Sequence, residues 1–155
     1  MSYIDDNLMT GEYVMHRTRL HWIVFLWSFV WLLIAILLLG ENYVPRPVGL
    51  VFLILGLITG IKAYVRYATS EFGVTNRRVL VKFGLVGRRS LEILLDKVEG
   101  VQVQQGILGR ILNYGSVAVS GLGGTREVFP RIADPLIFRS RVQEQVAMVQ
   151  KPKYI

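Results

Sequence analysis

The sequence predicts an α+β membrane protein: a two-helix transmembrane hairpin followed by a small β-barrel or sandwich, capped by a C-terminal helix. Three observations predict it. Two apolar stretches of membrane-spanning length lie in the first half of the chain. The later residues alternate with the period of strands, and the last segment changes to the period of a helix. Charge divides the same way. Residues 1–65 carry four basic and four acidic side chains, so the net +7 of the 155-residue chain falls entirely on residues 66–155.

From Trp22 to Leu39 the chain reads WIVFLWSFVWLLIAILLL, eighteen residues without a charge. At roughly 1.5 Å per residue they cover about 27 Å, close to the hydrocarbon thickness of a bilayer. The run is too long for a signal peptide, and Gly40-Glu41-Asn42-Tyr43 is not a small-residue cleavage site. The second stretch, Val48 to about Val65, reads VGLVFLILGLITGIKAYV. Lys62 near its end, with Arg66 four residues on, is placed to snorkel to the head groups beside Tyr64 and Tyr67. Between the two stretches, GENYVPRP forms a polar turn containing two prolines. Gly56 and Gly60 are four apart and read as a helix-packing pair, toward the chain's own first helix rather than between subunits. Trp31 lies too deep for an interfacial belt, so it faces another helix or lipid tails.

Orientation follows from the positive-inside bias. Arg17 and Arg19 precede the first helix, and Lys62, Arg66, Arg77 and Arg78 follow the second, whereas the turn offers Arg46 opposed by Glu41. Both termini are therefore expected in the cytoplasm. The expected organisation is a cytoplasmic N-terminal segment over 1–19, the hairpin within 20–67, a cytoplasmic domain over 68–150, and a tail over 151–155.

The domain has the rhythm of strands. Residues 69–75 form a short one, and Asn76-Arg77 turns into Arg78–Phe83, where Val79, Val81 and Phe83 alternate with Arg78, Leu80 and Lys82. Gly84 and Gly87 mark the next turn, and 88–94 and 98–104 read as further strands. Gly106–Leu112 is a short helical turn or loop closed by Asn113-Tyr114-Gly115. Ser116–Ser120 and Arg126–Phe129 flank a glycine-rich hairpin turn. Asp134 is then a candidate N-cap and Pro135 a first helical residue. Phe138, Val142, Val146 and Val149 recur on one face of the helix that follows.

This order resembles the bacterial membrane-flanked pleckstrin-homology (PH) domain proteins, across nearly the whole chain. The matching phrases are VTNRRV, DKVEGVQVQQ and LGRILNYG, set after a hydrophobic hairpin and before the helix that follows RIADP. The resemblance implies a bacterial inner-membrane protein with a cytoplasmic PH-like domain that self-associates or works beside a second membrane protein. It implies no defined activity.

Catalysis finds little support. With no cysteine there is no thiol nucleophile, iron–sulfur cluster or thiolate zinc site. The two histidines, His16 and His21, stand at the membrane edge, away from any nucleophile in the later domain. Asp96 and Glu99 around Lys97 read as a turn with a surface ion pair rather than an acid–base couple. Gly121–Gly124 lacks the lysine and the strand–loop–helix setting of a phosphate loop. No enzyme, metal or cofactor is expected. Nucleic acid is not expected either, since the basic residues are scattered and no strand is rich in aromatics.

The stronger signal is the basic group Arg77, Arg78, Lys82, Arg88 and Arg89, a candidate contact for anionic lipid or a partner, or else a solvated face. A second candidate partner surface is Ile107, Leu108, Ile111 and Leu112, unless these plug the barrel end. In the latter case Leu108→Asp disrupts folding, and in the former assembly. The expected function is a non-enzymatic inner-membrane interaction or scaffold protein whose domain binds a protein partner, another copy, or the anionic leaflet. The alternative is a subunit of an oligomeric channel or transporter with the domain as a cytoplasmic collar. Against it, Ser28, Thr59 and the glycines are the hairpin's few candidates for a polar stripe.

Overall fold

The computed structural model describes residues 3–83 and 89–150. The chain forms two compact units, Trp22–Thr69 and the remainder. The first is the hairpin. A 3-10 turn at Trp22–Phe25 runs into α2 (Leu26–Gly40), and α3 (Arg46–Thr69) returns antiparallel to it, taking in the prolyl residue at its first turn. The helices meet where Gly56 stands. A β-carbon there would lie 2.8 Å from the Leu32 side chain and 3.2 Å from its backbone nitrogen. In the same contact the Ser28 hydroxyl donates to the Gly56 carbonyl at 2.8 Å. Gly60 faces Ser28 one turn on, so both glycines pack against the chain's own first helix. Trp31 also turns inward, its ring 5.6 Å from that of Phe52 on α3.

The second unit is built from both sides of the hairpin. A short helix, α1 (Tyr3–Asp6), precedes β1 (Val14–Arg19). After the hairpin come β2 (Glu71–Thr75), β3 (Arg78–Phe83) and β4 (Arg89–Leu94), and these four strands form one antiparallel sheet in sequence order. β5 (Val98–Gln104), β6 (Tyr114–Gly121) and β7 (Thr125–Ala133) form a second, three-stranded sheet. Between β5 and β6 lies α4 (Ile107–Ile111), and α5 (Pro135–Gln150) closes the chain.

The boundary drawn from the sequence at residue 19 is corrected by β1. Residues before the hairpin belong to the folded domain, because Thr18 pairs with Phe72 and Arg19 with Glu71 in the β1–β2 ladder. The hairpin is thus an insertion between two neighbouring strands. The strand escaped notice because its core-facing positions include His16 and Thr18, so it shows no apolar alternation. α1 covers the outer face of the sheet: Ile4 is buried, and a β-carbon on Gly73 would stand 2.7 Å from its tip.

Phe72 and Phe129 meet edge to face at 6.0 Å and join the two sheets. Val74, Val79, Val81, Val117 and Val119 complete the core around them. α5 lies across β1, β2, β5 and β6 and buries Phe138, Val142 and Gln145. Val149, expected on that face, is 43% exposed; the last turn is held instead by the Gln150 amide, which donates to the Val98 carbonyl at 3.2 Å. Two antiparallel sheets and a capping C-terminal helix fit a PH-like fold.

The strand directions give the domain two ends. At the root end, β1 leaves for the hairpin and β2 begins after it, joined by the end of β7 through a Leu20–Ile132 bridge. β5 finishes and β6 starts there, so α4 lies at this end too. The far end holds the Asn76-Arg77 turn, the β6–β7 turn and the last residues of α5.

Candidate functional site

The predicted basic group does not come together. Arg77 is exposed, but it sits in the far-end turn, opposite the end that leads into the hairpin. Arg78 is not a surface contact at all, being 4% exposed. Its Nε donates to Glu12 Oε1 and its Nη2 to Glu12 Oε2, both at 2.9 Å, while Nη1 reaches Glu92 and Nη2 also reaches the Asn7 carbonyl at 2.7 Å. Burial alone would raise the Glu12 pKa, but Arg78, the Met9 amide and the Thr75 hydroxyl outweigh it and hold the carboxyl at about 2. Glu12 and Arg78 form a structural clamp between the pre-hairpin segment and β3. Lys82 stands at the root end of β3, opposite Glu71 and Ser90. Arg89 opens β4 across from Phe83, and Arg88 lies outside the described residues.

The second predicted surface is the one the fold displays. In α4, Ile107 is 82%, Leu108 62% and Ile111 73% exposed, so these three do not plug the barrel, while Leu112 is half-buried. With Leu108 outside the core, Leu108→Asp is expected to leave folding intact. The helix is held tightly from behind. A β-carbon on Gly109 would lie 2.5 Å from the Tyr114 carbonyl oxygen, so only glycine lets α4 close against β6. The Gln105 amide spans the same gap, donating to the carbonyls of Gly109 and Tyr114 at 3.3 and 3.2 Å.

The same end anchors the chain on its way to the hairpin. The His21 amide donates to the Arg131 carbonyl at 2.8 Å, and its ring stacks on Tyr114 at 5.2 Å. Burial lowers the His21 pKa, and nearby Asp134 and a hydrogen bond to the Leu112 backbone oppose that shift. Among the described residues, the three non-glycine positions with positive φ are Asn113, Arg131 and Asp134, all at this end. Asp134 stands at the head of α5, its carbonyl accepting from the Phe138 amide at 3.1 Å and its carboxylate from the Asn113 amide. A groove of about 880 Å³ opens beside α4, lined by Gln104, Gln105, Arg110, Asn113, Leu136 and Arg139 among others.

Elsewhere the chemistry is sparse. Asp96 and Lys97 are exposed in a 3-10 turn at the far end, with Glu99 on the strand that follows. Among the described residues no group of three His, Asp or Glu side chains is placed to hold a metal. In the hairpin the two candidate polar groups are both occupied, Ser28 by the Gly56 carbonyl and Thr59 by the Leu55 and Gly56 carbonyls.

Compared with known families, residues 20–152 match the bacterial PH domain. The chain belongs to that family. The match starts at Leu20, the residue that bridges to Ile132, and runs through the hairpin to the end of α5. β1 and the Glu12 clamp of this bacterial PH domain lie upstream of the matched segment. No curated protein matches the chain. Sequence reasoning missed Arg110 and Arg139 of the root-end groove, because they stand in different elements and meet only through the fold. It also missed Glu12, whose partner is 66 residues away.

Proposed function

We propose that this bacterial PH domain is a non-enzymatic, membrane-anchored interaction module. Its hairpin crosses the bacterial inner membrane twice, and its domain works at the cytoplasmic surface, against the leaflet or against a neighbouring protein. The observation that carries this reading is the outward face of the hairpin. Of the most apolar windows of the two helices, only 17% and 11% is buried, and side chains such as Phe29, Ile36, Leu37 and Ile61 point away from the fold. A core helix of a soluble protein would be covered, and so large an apolar surface is stable only in lipid or against another apolar surface.

Chain topology supports the same reading. β1 and β2 are hydrogen-bonded neighbours, so both ends of the hairpin return to one side, as a double span requires. Weak contacts made by a domain fixed at the bilayer act at high effective concentration, so no deep pocket is needed.

The cysteine-free chain makes the test direct. Single cysteines replace Tyr43 in the α2–α3 turn and Leu122 in the β6–β7 turn, both exposed. A membrane-impermeant maleimide added to intact spheroplasts is expected to label Tyr43→Cys, and to label Leu122→Cys only after lysis. The reverse pattern would overturn the orientation, and labelling of both in intact cells would overturn the double span.

A further inference from the structure

We propose that α4 is a membrane-docking wedge: Ile107, Leu108 and Ile111 enter the interfacial layer of the leaflet, while Arg110 and Arg139 hold anionic lipid head groups. The proposal rests on the membrane reading above and names the ligand and the surface that take it.

Four observations converge on this end of the domain. The three apolar side chains are exposed on a single five-residue helix, which is unfavourable in water unless something covers them. What covers them is indicated by where the helix sits. His21 touches Leu112 and Tyr114, which follow α4 directly, and the next residue, Trp22, opens the first apolar span. The covalent path from that contact to the spanning segment is therefore one peptide bond. The wedge need not search for a surface, because the chain's own anchor brings one.

Charge agrees. Arg19, Arg110, Arg131 and Arg139 are exposed at the root end, where Glu71 stands opposite Arg19 in the ladder and Asp134 is engaged by Asn113. The groove beside α4 presents the guanidinium groups of Arg110 and Arg139 together with Gln104, a lining suited to a phosphate ester. Apolar insertion and basic attraction are the two signals that together give stable surface attachment, where one alone is marginal. Finally, the presentation is rigid. Gly109 and Gln105 pin α4 to β6, and backbone strain at Asn113, Arg131 and Asp134 is concentrated here among the described residues. The close packing of Gly109 and the two Gln105 hydrogen bonds fix the direction of the wedge.

The experiment uses the full chain in vesicles of phosphatidylcholine with or without phosphatidylglycerol, some lipids carrying a nitroxide near the glycerol backbone. Single cysteines at Ile107, Ile111, Leu122 and Ile36 carry an environment-sensitive fluorophore. Ile36 lies on the outward face of α2, and Leu122 lies exposed at the far end of the domain. The expected result is strong quenching at Ile36, quenching at Ile107 and Ile111 severalfold above that at Leu122, and a rise of the Ile107 signal with phosphatidylglycerol. The Arg110→Gln/Arg139→Gln variant is expected to lose that rise. Quenching at Ile36 without quenching at Ile107 and Ile111 overturns the wedge and leaves the membrane reading standing. Absence of quenching at Ile36 overturns the membrane reading itself. An Ile107 probe exposed to water in lipid vesicles but shielded in native membranes assigns the face to a protein, and an undiminished phosphatidylglycerol response in the double variant removes the arginines from the site.

Discussion

Arg78 bonds Glu12 through two nitrogens and reaches Glu92 and the Asn7 carbonyl as well, so its guanidinium is spent on the fold. Removing one partner of such a buried pair leaves the other charge uncompensated, at a cost of about 3–5 kcal/mol. Arg78→Met is therefore expected to lower the thermal stability of the domain strongly, and Glu12→Leu added to it should recover part of the loss. The pair also sets an acid limit. Glu12 titrates near 2 in the fold against an ordinary 4.5, so its stabilisation is complete above about 4.5 and is lost as pH falls toward 2. Burial lowers the pKa of His16 and of His21 below 6.5, with Arg141 adding to the effect at His16 and Asp134 opposing it at both. Unfolded imidazoles then bind protons first, and stability declines as pH drops through 6.5. Unfolding temperature measured against pH is expected to fall in two steps, the first removed by replacing both histidines with glutamine. A sequence read locally could not show the clamp, since VTNRRV presents Arg78 as one more exposed arginine and its acid lies on the other side of the hairpin.

At the scale of elements, periodicity made most of the domain legible. The strands after the hairpin, the short helical turn at α4 and the helix from Pro135 stand within a few residues of where their alternation places them. β1 and α1 did not announce themselves. HRTR ahead of an apolar run looks like a juxtamembrane charge cluster, and Ile4 stands beside Asp5 and Asp6 in a stretch without apolar periodicity. Yet Ile4 is 1% exposed and seats on Gly73, where no side chain competes for the space. Ile4→Ala is expected to cost about 2–5 kcal/mol, as for other large-to-small core changes. The exposed Met9→Ala is expected to change stability little by comparison, and equal unfolding midpoints for the two variants would show that α1 is not a structural element. The apolar face of α4 was legible as a cluster, whereas its exposure was not. Whether IL–I at the end of a sheet plugs or projects depends on Gly109 and Gln105 closing the helix onto the Tyr114 carbonyl, a contact that spacing alone does not reveal.

For the whole molecule, the decisive feature is that the helical hairpin interrupts a β-sheet. Arg19 and Glu71 face each other in the ladder although fifty-one residues separate them. Neighbouring strands lie about 5 Å apart, so a linker of roughly two to five residues can replace 22–69 without moving either strand. A chain with that replacement is expected to be soluble and to unfold in one cooperative transition. A fragment that begins at Ser70 is expected to behave differently, even though it contains every strand recognisable from the sequence. It lacks β1, so the edge of β2 is left unpaired, and it lacks Glu12 and Ile4, so Arg78 loses its buried acid and the outer face of the sheet is uncovered. Circular dichroism and size-exclusion chromatography of the two proteins check this: the linked domain gives a monodisperse species with a sharp melt, and the fragment aggregates or melts without cooperativity. Matching melts would mean that the pre-hairpin segment is dispensable and that the sheet folds from one side of the helical hairpin alone.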